Sequence, residues 1–178
     1  WGANLIARRG SADSVIVSMH ADSAIGDVVG FRAAVIAAAD AAAAEHALVT
    51  VGIVPTHADT GLGYIERGAV VRGSLRRVAR FLEKPDRATA DALVASGCLW
   101  NSGIFAWRAA DILSEIAAHC PEVAPALAEH AGDAAAFFAA AKSIAIDVGV
   151  LERSARVMVL PGTFGWRDVG TWAALLNL

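Results

Sequence analysis

Two apolar runs bracketing a long helical stretch decide the fold: Val15-Ile16-Val17-Ser18-Met19, then Val29 to His46, then Leu48-Val49-Thr50-Val51-Gly52-Ile53-Val54. Both short runs lack alternation and are rich in β-branched residues, the pattern of strands buried on two faces. Between them, Phe31, Val35 and Ile36 fall on one side of a helix. A strand, helix, strand of this length predicts a βαβ crossover, hence a parallel pair with helices covering the sheet.

Outward from this unit the alternation continues. A polar turn, Arg8 to Ser14, precedes the first strand, and Pro55 closes the second. The loop from Pro55 to Gly63 is too polar and glycine-rich for the core. Short strands are expected from Tyr64 to Gly68 and Leu75 to Leu82, the second with one wet face because Arg76, Arg77 and Arg80 interrupt it. Asp86 caps a helix from Arg87 to Ser96, Gly97 stops it, and Leu99 to Trp107 is strand. Helices follow over Ala110 to His119, Glu122 to His130 and Ala134 to Lys142. Ser143 to Glu152 is ambiguous by periodicity, Arg156 to Leu160 is strand, and a helix begins near Thr171. No linker or repeat divides the 178 residues, which form one α/β unit.

Composition removes several functions. A net charge of −3 leaves no electrostatic footprint for nucleic acid. No apolar run approaches the roughly 18 residues of a membrane span. Cys98 and Cys120 stand apart without metal-ligand spacing and read as buried thiols of a reducing cytoplasm. Tracts such as Ala41-Ala42-Ala43-Ala44 read as helix surface and filler. The chain starts at Trp1 and stops within a helical pattern, so it reads as a partial domain, 1–178, truncated at both ends.

No serine sits in a nucleophile elbow, no P-loop or dinucleotide fingerprint occurs, and His46, His119 and His130 fall at helix ends. Polar groups at strand ends remain: Asp22, Glu83-Lys84, Asn101 and Asp168. Singly, each has a plain explanation. Asp22 and Asp168 can cap a turn or helix. Glu83 and Lys84 can form a solvated pair, Asn101 can satisfy local backbone, and Trp100, Trp107, Trp166 and Trp172 can fill the core.

Their order and flanks carry more. Thr50-Val51-Gly52-Ile53-Val54-Pro55-Thr56 with Thr60-Gly61-Leu62-Gly63-Tyr64-Ile65, Phe81-Leu82-Glu83-Lys84-Pro85, Leu99-Trp100-Asn101-Ser102-Gly103-Ile104-Phe105, and Phe164-Gly165-Trp166-Arg167-Asp168-Val169-Gly170-Thr171-Trp172 resemble bacterial mannose-1-phosphate guanylyltransferases. The resemblance runs from about Val15 to the end. Glu-Lys-Pro marks sugar nucleotidyltransferases in general, whereas Trp-Asn-Ser-Gly and Gly-Ile-Val-Pro-Thr narrow it to the mannose branch. Two departures stand out: His20-Ala21-Asp22-Ser23 replaces Pro-Ala-Asp-His, and Leu62 stands where an aromatic is usual. The family's glycine-rich nucleotide loop and first strands are not in this chain.

The resemblance implies a three-layer, Rossmann-like nucleotidyltransferase fold with a mixed, mainly parallel sheet lacking its N-terminal strands. It implies transfer of GMP from GTP to mannose-1-phosphate, giving GDP-mannose and pyrophosphate in the cytoplasm. By the same resemblance Asp22 and Asp168 hold Mg²⁺, and Lys84 offsets the sugar phosphate. Glu83 and Asn101 meet sugar hydroxyls. Gly61, Gly63 and Gly103 admit the sugar closely, and Tyr64 packs beside it. The attacking phosphate oxygen is already an anion, so no general base is needed. A different sugar or base, a non-catalytic sugar-nucleotide regulator and a homodimer all stay open, and the 178-residue chain alone is expected to be inactive.

Overall fold

The computed structural model describes residues 1–170. Eight strands are present among them: β1 (Val15–Ser18), β2 (Ser23–Ile25), β3 (Leu48–Ile53), β4 (Tyr64–Arg72), β5 (Leu75–Leu82), β6 (Leu99–Arg108), β7 (Val157–Gly162) and β8 (Trp166–Asp168). Six helices join them: α1 (Gly2–Arg9), α2 (Val28–Glu45), α3 (Arg87–Ala95), α4 (Ala109–His119), α5 (Ala124–Glu129) and α6 (Ala134–Ala140). One π-helical turn spans Asp147–Leu151. The helix expected from Thr171, and Trp172 with it, lie outside the described residues.

The main sheet runs β1-β6-β3-β7-β5-β4, with β4 also pairing the start of β6. It is mixed, but the expected parallel majority is not found. Among the described strands only β3 and β7 pair in parallel, from Leu48↔Val157 to Ile53↔Gly162. The crossover through α2 does bring β1 and β3 to the same direction. However, β6 lies between them, antiparallel to both. The burial explains this order: β3 is buried throughout and β6 nearly so, so they take the centre. By contrast β1 has exposed ends and sits at an edge.

Helices cover both faces, as a three-layer α/β fold requires. Trp100, Ile104 and Ala106 of β6 face α2 and α3, whereas Leu99, Phe105 and Trp107 face α4 and the π turn. The same alternation splits Val49 and Val51 from Leu48 on β3. In the alanine tract, Ala41 and Ala42 are buried against the sheet while Ala43 and Ala44 are exposed, so half of it is contact face and not filler. Asp27 caps α2 by accepting from the amides of Val29 and Gly30, and Asp86 caps α3 through Thr89. Cys98 and Cys120 are buried and unpaired, as expected. Among the described residues no helix is long and apolar enough to cross a membrane.

Candidate active site

The site forms where β5 ends, β6 begins and the β2–β8 ribbon crosses their ends. A polar chamber of about 210 Å³ there is lined by Gly61, Gly63, Glu83, Lys84, Asn101, Gly103 and Asp168, with His20, Leu62, Ser102, Asp147 and Trp166 completing the wall. Seven of the nine positions expected from the sequence therefore converge.

Asp22 arrives through the ribbon. Ser23 pairs with Asp168, and the Val169 amide donates to the Asp22 carbonyl at 2.9 Å. A methyl placed on Gly170 would lie 3.4 Å from Oδ2 of both Asp22 and Asp168, so the two carboxylates crowd one point. Among the described residues no group of three or more His, Cys, Asp or Glu gathers to hold a metal alone. Two hard carboxylate oxygens suit Mg²⁺ where substrate oxygens and water complete the shell, so this donor set fits the ion.

Lys84 follows β5 in the left-handed region, with φ of 47°, a conformation costly for a side chain with a Cβ. The strained turn throws the ammonium into solvent, 3.6 Å from Oε1 of Glu83, whose own side chain is mostly buried. The Glu83 amide donates to Oε1 of Glu152 at 2.9 Å, which ties the turn to the π-turn segment. A Cβ on Gly63 would stand 2.5 Å from Oε2 of Glu83, so only glycine leaves room for that carboxylate. The Gly63 carbonyl accepts from the Asn101 amide at 2.8 Å.

Tyr64 does not line the chamber. Its ring is core, and its hydroxyl accepts from the Asp59 amide and donates to the Asp59 carbonyl, pinning the loop that carries Gly61. Asn101 is almost fully engaged. Its Oδ1 accepts from Oγ1 of Thr50 at 3.0 Å, and its Nδ2 donates to Oδ1 of Asp147 at 2.9 Å.

Asp147 was missed by sequence reasoning, as were His20 and Glu152. Burial raises its pKa above the ordinary aspartate value, against the opposing pull of its own backbone amide, His20, Asn101 and Lys84. Glu83 is raised too, first by burial and then by the charge of Asp147. An acid set in the apolar run Ile144 to Leu151 was the available signal, since apolar surroundings rarely hold a carboxylate without purpose.

A second, more apolar cleft of about 800 Å³ adjoins the chamber. Gly61, Leu62, Trp166 and Asp168 line both, so Asp168 stands at the junction. Trp100 and Trp166 are buried, as core residues, and also line the cleft.

A three-layer sheet presenting an acidic pair beside a chamber with a strand-end lysine defines a class: the chain belongs to the nucleotidyl transferase family, whose model matches residues 1–178. Among its relatives, the xanthan biosynthesis protein XanB of Xanthomonas campestris is 41% identical over 99% of this chain and 39% of its own length. Mannose-1-phosphate guanylyltransferase of Escherichia coli K12 is 40% identical over 99% of this chain and 40% of that protein. The crystal structure of mannose-1-phosphate geranyltransferase from Thermus thermophilus superposes with a TM-score of 0.88 at 33% identity, over 99% of this chain and 52% of that one. The chain thus spans well under half the length of the curated relatives it matches.

Proposed function

We propose that this chain carries the sugar-phosphate and metal side of a mannose-1-phosphate guanylyltransferase. That enzyme joins mannose-1-phosphate to the GMP moiety of GTP and releases pyrophosphate. The observation that carries the reading is the approach of Asp22 to Asp168, which itself lines the chamber with Glu83 and Lys84. Relatives named for that activity support the choice of sugar and base.

The difficulty of the reaction is electrostatic, because an anionic sugar phosphate must approach a polyanion. Lys84 meets the sugar phosphate as a compact charge, and Glu83 accepts from sugar hydroxyls. Gly63 lets the Glu83 carboxylate stand where it does. Asp22 and Asp168 would hold Mg²⁺, which when bound offsets charge on the phosphate oxygens. No residue is asked to remove a proton from the nucleophile, which is why the chamber needs no catalytic histidine. The cytoplasm, where GTP is held, is the proposed compartment.

The test is pyrophosphate release by the full-length protein from GTP, UTP and dTTP, each against mannose- and glucose-1-phosphate. The GTP and mannose-1-phosphate pair should dominate. A preference for another pair would reassign the substrate, and no turnover with any pair would favour a non-catalytic regulator.

A further inference from the structure

We propose that Asp147 is a specificity-determining carboxylate, which accepts a hydrogen bond from a hydroxyl of the sugar phosphate opposite Glu83. The inference rests on the reading of the chamber as a sugar-phosphate site and assigns it a group that the sequence motifs do not mark.

Three observations support it. First, Asn101 is committed elsewhere. Thr50 has a hydroxyl that donates to Oδ1 of Asn101, which fixes the amide so that its Nδ2 points at Asp147. The reversed amide would set two acceptors against each other. Asn101 is therefore a positioning residue for Asp147. Second, Asp147 lines the chamber beside Glu83, and among the described residues its second oxygen accepts no side-chain hydrogen bond. The titratable groups around it are Glu83, Lys84 and His20. Third, two partly buried carboxylates facing one space disfavour each other, and burial raises both. A ligand that brings hydroxyl donors removes that conflict, because each ionised carboxylate offers only acceptors. A second anion would worsen it, so the phosphate belongs at the Lys84 end and the hydroxyls between Glu83 and Asp147.

The π turn explains how Asp147 reaches the chamber. It places Gly149, Val150 and Leu151 in the core while Asp147 points at β6, on the face that Asn101 occupies.

The experiment is a cycle of Asp147→Asn against deoxy sugars in the full-length protein. Wild type and D147N are assayed with mannose-1-phosphate and with its 2-, 3-, 4- and 6-deoxy analogues. D147N should raise KM for the parent sugar roughly 10- to 100-fold, the range of a hydrogen bond to a charged group, with a smaller change in kcat. For one or two deoxy analogues it should cause no further loss, because the hydroxyl that Asp147 holds is already gone. An equal loss across all analogues would show that Asp147 only supports Asn101 and would overturn the proposal. Absence of turnover by the wild type would instead refute the function on which it rests.

Discussion

Asp22 and Asp168, 146 positions apart in the chain, bring Oδ2 atoms to within 3.4 Å of one point above Gly170. The three-residue β2–β8 ribbon holds them there, outside the main sheet. Neither lies in the core, so their approach is not a product of apolar packing. Like charges brought together at a surface gain a reason when a cation is shared between them.

Lys84 is placed by a strained turn, and activity and stability should therefore separate at this position. Lys84→Ala and Lys84→Gly should both collapse turnover. Glycine tolerates φ of 47°, whereas alanine does not, so Lys84→Gly should be more stable than Lys84→Ala by about 1 kcal/mol. Thermal melting of the two variants checks this, and equal stability would mean that the turn relaxes at no cost.

Gly63→Ala should act on the substrate through Glu83. The added methyl would meet Oε2 of Glu83 at 2.5 Å, so the carboxylate must swing away. The expected result is a raised KM for the sugar phosphate with the KM for the nucleotide little changed. A rise in both would show that the loop itself had moved.

How much of this was legible in the sequence differs from residue to residue. Glu83, Lys84, Asp22 and Asp168 could be marked as polar groups near strand ends, but singly each also reads as a cap or a solvated pair, and their expected roles came from the family resemblance alone. Strand partners were not: nothing in the run from Leu99 to Trp107 says that it will insert between β1 and β3, since partner choice depends on which strands are buried most. Asp147 was missed because a π turn obeys neither the helical nor the strand period, so pattern reading found Ser143 to Glu152 shapeless. The role of Tyr64 was misjudged for another reason. Its place beside the glycine loop is real, but its ring is buried in the core and its hydroxyl is engaged by Asp59.

Away from the site, a buried ionic cluster should govern stability. Arg156 pairs with Asp111 at 2.8 Å and Glu115 at 3.1 Å, and Arg108 pairs with Asp111 at 2.6 Å. Both carboxylates are 5% exposed. Arg156→Ala should cost about 2–3 kcal/mol, somewhat below the loss at a sealed pair because Arg156 keeps one side in water. Chemical denaturation measures it, and a loss under about 1 kcal/mol would place Arg156 with ordinary surface pairs.

The same cluster sets an acid limit. Burial pushes the Asp111 carboxyl upward, but the hydrogen bonds from Arg108 and Arg156 outweigh it and hold the pKa below the ordinary aspartate value. A folded value below the unfolded one means stability that is present above pH ~4 and is lost as pH falls through the folded value. Melting temperatures from neutral pH downward should therefore fall in acid, and Asp111→Asn should flatten that limb. An unchanged acid limb in the variant would assign the loss to other carboxylates.

The most direct measurement of the central claim is Mg²⁺-dependent pyrophosphate release by Asp22→Asn, Asp168→Asn and the double variant of the full-length protein. If the two carboxylates form one metal site, either single change should cost roughly 10²-fold in turnover. The double change should then cost little more than either alone, because groups that act as a unit are not additive. Losses that multiply in the double variant, or a single variant that keeps wild-type turnover and Mg²⁺ dependence, would contradict the account.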